Sequence, residues 1–156
     1  MKLSHFLGIA ALTAVTAHHA IAENYTVERA ITLDGNAVEI WQAIGDFCDI
    51  DDWHPSISDC ALKARDGAVF RRITVGEDAE VWEKLIAVEA GLSYTYSITD
   101  APFPLDRYVA TLSLTRGKPH RITWSGKFKS DDPNMEQAVA GIYEAGLAEI
   151  ESRFAK

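Results

Sequence analysis

The sequence predicts an α+β domain in which a curved, antiparallel, seven-stranded sheet wraps around a long C-terminal helix. Three observations carry this. One β-type segment precedes two short helical ones, and six further segments of period two then follow between Cys60 and Phe128. The chain closes on a single long amphipathic stretch, Met135 to Phe154. A strongly curved sheet has one concave apolar face to bury, and only that last segment is long enough to cover it.

The elements follow in order. "YTVERAITL" puts Tyr25, Val27, Arg29, Ile31 and Leu33 on one side of a first strand. Asn36 then caps a helix, with Glu39 three residues on as its capping-box partner, and Val38, Trp41 and Ile44 share a face. "DIDDWHP" forms a second brief helix or turn, which Pro55 stops. The six strands are "CALKA", "AVFRRITV", "EVWEKLIAV", "LSYTYSI", "YVATLSL" and "HRITWSGKF". Turn residues separate them: "RDG", "GEDA", "EAG", "TDAPFPLDR" and "TRGKP". In the last helix, Met135, Val139, Ile142, Gly146, Ile150 and Phe154 make the buried stripe. Its small residues Gly141, Ala145 and Gly146 leave room for close helix–sheet contact or for a cavity beneath.

Met1 to Ala22 reads as a cleavable signal peptide: Lys2, a short apolar run from Phe6 to Val15, then "AIA" before Glu23. Cleavage after Ala22 leaves Glu23 to Lys156 as one domain, periplasmic or secreted, without a second run of membrane-spanning length. The chain has 15 Lys and Arg against 23 Asp and Glu. Lys2 is the only charged residue of the leader, so the remainder is more acidic still. That balance excludes nucleic acid and anionic membrane surfaces as partners.

Chemistry concentrates in "FCDIDDWHPSISDC", Phe47 to Cys60. No metal is expected there, because no C-x-x-C or H-x-x-x-H pair is present and the calcium-loop glycine and glutamate are missing. No cofactor motif occurs elsewhere. Export makes a disulfide between Cys48 and Cys60, the only cysteines, the favoured state, and two separate buried thiols are the alternative. His54 has three readings: a ligand-binding group beside Trp53, an acid/base partner of Glu83, or the cap of a turn.

The stretches "EIWQAIGDF", "WHPSISDC", "WEKLIAVEAGLSYTYSITDAPFPLDRYVATLSL", "ITWSGKF" and "GIYEAGL" resemble the START-like (SRPBCC) superfamily, in its polyketide cyclase/dehydrase-like branch. The resemblance covers about residues 25 to 154 and implies a helix-grip fold. Against the plant abscisic-acid receptors of this superfamily, His54 falls on a cavity lysine and Glu83 on a cavity glutamate. Tyr96 and Tyr108 fall on cavity aromatics, "PFPLDRY" falls on a latch loop, and Cys60 on an unpaired cysteine. "GEDA" lacks the receptors' proline gate, so hormone gating is not implied.

Strand periodicity agrees with an inward face carrying Val81, Glu83, Leu85, Tyr94, Tyr96, Ile98, Tyr108 and Ala110, and turns Trp82 outward. The ligand residues expected are therefore Trp53, His54, Glu83, Tyr94, Tyr96 and Tyr108, around a small hydrophobic ligand. His54 and Glu83 are also the candidates for catalysis, were the chain a cyclase or dehydratase; an enzyme is the less favoured reading. The superfamily's small periplasmic accessory proteins of methanol oxidation imply another role, with Trp82 meeting a periplasmic protein partner.

Overall fold

The computed structural model describes residues 22–155. The expected leader, apart from Ala22, lies outside the described residues.

Strand β1 (Glu23–Leu33) leads into helices α1 (Ala37–Ile44) and α2 (Ile50–Trp53). Six strands follow: β2 (Ile57–Arg65), β3 (Ala68–Val75), β4 (Ala79–Glu89), β5 (Ser93–Asp100), β6 (Asp106–Thr115) and β7 (His120–Ser130). Helix α3 (Met135–Phe154) closes the chain. The strands form one antiparallel sheet in the order β1-β7-β6-β5-β4-β3-β2, the α+β helix-grip arrangement that the sequence predicts. Hairpin turns set its register. Between β2 and β3, Asp66 and Gly67 both take positive φ, 51° and 75°, the backbone twist a two-residue hairpin needs.

One local expectation needs correction. In α1, Asn36 accepts from the Val38 N–H at 2.9 Å, but its partner Glu39 meets only the Asn36 side chain. The buried face is Ile40 with Ile44, and Val38 is 53% exposed. Both spacings suit a helix; burial in the core selects the second. In β4 a bulge between Leu85 and Ala87 shifts the register, so the alternation that buries Val81 and Glu83 and half-buries Leu85 ends there, and Ala87 is exposed.

Helix α3 crosses the concave face with Val139, Tyr143, Leu147 and Ile150 turned inward. Gly146 sets how close it comes. A Cβ there would stand 2.6 Å from His54 Cδ2 and 2.9 Å from Trp124 Cζ3. Gly141, by contrast, meets nothing within 4 Å. Gly146→Ala is expected to cost about 1–3 kcal/mol by overpacking, read from the urea midpoint, whereas Gly141→Ala is neutral or stabilising.

Cys48 and Cys60 are joined by a disulfide, with Cα atoms 5.6 Å apart. It ties the α2 segment to β2. Around it, Asp46 accepts from the Cys48 N–H and Asp51 from the Cys60 N–H, at 3.1 and 2.9 Å. Asp59 pairs with Arg72 at 2.7 Å. These carboxylates serve the backbone and an ion pair.

Candidate functional site

A cavity of about 230 Å³ lies between the sheet and the N-terminal half of α3. Met135, Val139, Ile142 and Tyr143 roof it, and Ile73 and Val81 belong to its strand wall. Its mouth lies where Phe103 and Leu105 of the β5–β6 loop and Ala138 of α3 join the lining; Phe103 is 38% exposed. The helix is thus close-packed at Gly146 and stands off the sheet two turns earlier.

The six expected ligand residues divide. Glu83, Tyr96 and Tyr108 line the cavity; Trp53, His54 and Tyr94 are buried outside its lining. The Trp53 ring lies 5.8 Å from that of Trp124, and Tyr94 packs under Phe47 and Trp41.

The protein itself occupies both ring nitrogens of His54. Nδ1 accepts from the Ser56 N–H at 3.1 Å, so Nε2 carries the proton and donates to the Ile142 carbonyl at 2.9 Å. Bare Gly146 lets the ring reach that carbonyl. Burial lowers the His54 pKa from its usual 6.5, partly opposed by the Ile142 hydrogen bond. A folded-state value below the unfolded one means that stability is present above about pH 6.5 and lost as pH falls from there toward the folded value. Wild-type Tm should therefore drop below pH 6.5 more steeply than that of His54→Gln, a difference a pH series of melts reads directly.

The partner of Glu83 is Arg71, not His54. Arg71 Nε donates to Glu83 Oε2 at 2.5 Å, and its Nη1 donates to the Phe47 carbonyl. Both side chains are almost fully buried. The guanidinium lies over the Phe47 ring at 4.2 Å and near Tyr96 at 5.0 Å, an aromatic cage for a desolvated cation. Burial works against the Arg71 charge, but Glu83, Tyr94 and Tyr96 more than offset it and hold its pKa up. Burial likewise pushes the Glu83 carboxyl up from its ordinary value, against the pull of Arg71. Arg71 was not among the expected site residues. Yet Arg71 and Glu83 are equidistant from the β3–β4 turn and face each other in register. Counting across the whole of "GEDA" would set Arg72 opposite Glu83; the turn closes one residue tighter, with Val75 opposite Ala79, and that brings Arg71 there.

Tyrosines supply the remaining polar atoms. Trp124 Nε1 donates to Tyr96 Oη at 3.0 Å, and the Tyr108 and Tyr143 hydroxyls are 2.6 Å apart. Tyr143 stacks on Trp124 with centroids 4.6 Å apart and planes 9° from parallel. Burial, chiefly, raises the pKa of Tyr96, Tyr108 and Tyr143, so all three stay neutral hydroxyls. Tyr143 was not among the expected residues, although its spacing from Val139 and Leu147 is helical.

No helix among the described residues is long and apolar enough to cross a membrane. The model of the family described as polyketide cyclase/dehydrase and lipid transport matches residues 25–155. Among solved structures, the chain is similar to protein XoxI from Bacillus cereus, at 29% identity and a TM-score of 0.75, over 83% of this chain and 94% of that one. A protein from Bacillus thuringiensis is 28% identical with a TM-score of 0.75, over 85% of this chain and 100% of its own. The Zhui aromatase/cyclase from Streptomyces sp. R1128 shares the fold at 13% identity, with a TM-score of 0.68 over 84% of this chain and 93% of that one.

Proposed function

Because the chain belongs to the polyketide cyclase/dehydrase and lipid transport family, we propose that it binds a small, largely apolar molecule between the sheet and α3, outside the cytoplasm. The observation that carries this reading is the apolar cavity itself, about 230 Å³ in volume, under a helix otherwise packed tightly on the sheet. Ligand sites for drug-sized molecules run to about 300–1,000 Å³, while an apolar cavity of about 150 Å³ takes a benzene ring. One substituted ring or a short chain therefore fits, and a multi-ring polyketide does not. A disulfide at Cys48–Cys60 accords with an oxidising compartment, and β1 begins at Glu23, directly after the proposed cleavage site.

Fluorobenzene tests the reading. Its ¹⁹F resonance should broaden with the wild-type protein and stay sharp with Ala138→Trp, which fills the mouth from an exposed position. A resonance that neither protein alters contradicts the reading.

Proton transfer between His54 and Glu83 receives no support, since each is engaged elsewhere. A second reading, an accessory protein of a periplasmic redox system such as methanol oxidation, draws on the outer side of β4. There Trp82 donates to Glu80 at 2.8 Å beside Arg65, and Ile86 is 53% exposed. Trp82→Ala should then abolish capture of that partner while fluorobenzene binding persists.

A further inference from the structure

The hydrogen-bond inventory of the cavity is unbalanced. An indole N–H can only donate, so Trp124 commits Tyr96 Oη to accepting. Tyr96, Tyr108 and Tyr143 carry three hydroxyl hydrogens, and the Tyr108–Tyr143 contact consumes one of them. Even a further contact between Tyr96 and Tyr108 would consume only a second. At least one hydroxyl hydrogen is left without an acceptor among the described residues, and all three phenols line the cavity.

The geometry also fixes where such a donor sits. A Cβ at Gly126 would collide with Tyr143 Oη, so β7 keeps a glycine where that hydroxyl rests. Stacking on Trp124 holds the ring in place. Within the pair, the hydroxyl that accepts its neighbour's hydrogen becomes the stronger donor.

Charge narrows the ligand further. Glu83 lines the cavity, while Arg71, its counter-ion, does not, and the lining holds no cation among the described residues. A carboxylate entering the cavity would face Glu83 unpaired.

We infer that the site takes a neutral, single-ring-sized molecule bearing a carbonyl oxygen, and that the Tyr108–Tyr143 hydroxyl pair recognises that oxygen. The inference rests on the binding reading above and specifies its ligand class.

Calorimetric titration with acetophenone, ethylbenzene and benzoate tests it. The wild-type protein should bind acetophenone roughly fivefold or more tighter than ethylbenzene, the net worth of one hydrogen bond, and benzoate weakest of all. Tyr108→Phe with Tyr143→Phe should still bind ethylbenzene and lose the preference for acetophenone. A preference that survives in that variant, or that disappears instead in Tyr96→Phe, overturns the assignment. Should the double variant not fold, the wild-type series decides alone. Ethylbenzene bound as well as acetophenone, or benzoate bound tighter than either, overturns the inference and leaves the cavity reading standing. Binding of none of the three overturns both.

Discussion

Arg71→Met is expected to lower unfolding free energy by about 3–5 kcal/mol, because it strands the Glu83 carboxylate in the core without its counter-charge. The guanidinium is 0% exposed and cannot be replaced by solvent. Removing both partners is expected to behave differently. Arg71→Met with Glu83→Leu should recover most of the loss, since the desolvation of two charges disappears together with their attraction. Acidity separates these cases further. In Arg71→Met the burial that already raises the Glu83 pKa acts unopposed. A carboxyl with a folded-state value above its unfolded one favours folding below the unfolded value and loses that contribution as pH rises through the folded one. The single variant should therefore sit closer to wild type at pH 5 than at pH 8, and the double variant should show no such trend. Urea titrations at the two pH values measure all of this. A deficit under about 1 kcal/mol for Arg71→Met at pH 8 would mean that the pair contributes no more than a surface ion pair.

Loss of the disulfide is the second large effect. Cys48→Ser with Cys60→Ser frees a loop of sequence separation 12, which in the chain-entropy account costs about 3 kcal/mol. The consequence extends to the cavity, because Ile50 and Ile57 of its wall both lie within that loop. Fluorobenzene affinity should fall along with the unfolding midpoint. An unchanged midpoint would show that α2 is held by the burial of Ile50 and Trp53 alone.

Periodicity made the sheet legible, because β4 to β7 alternate buried with exposed or half-buried residues and every turn carries its own residue chemistry. Tyr96, Tyr108 and Glu83 inherit their positions from that pattern, and all three line the cavity. His54 shows where local reading ends. Its Nε2 partner is a carbonyl 88 residues away, on a helix whose approach depends on Gly146. No pattern around His54 encodes that contact, so a ring that reads as chemistry serves as a brace. Arg71 is a second such case: folding the hairpin about the four residues of "GEDA" would pair Glu83 with Arg72, and only the tighter turn, with Val75 opposite Ala79, puts Arg71 there. In α1, two helical spacings competed and only burial in the core separated them.

Native mass spectrometry of the protein, produced from Met1 onward in an exporting host and recorded before and after denaturation, tests the central claim most directly. The account predicts a folded species carrying a small additional mass that disappears on unfolding. It also predicts a denatured chain that begins at Glu23 and is two hydrogens light from the Cys48–Cys60 bond. A bare mass in repeated preparations, together with no uptake of added acetophenone or ethylbenzene, would contradict the claim that this cavity holds a ligand.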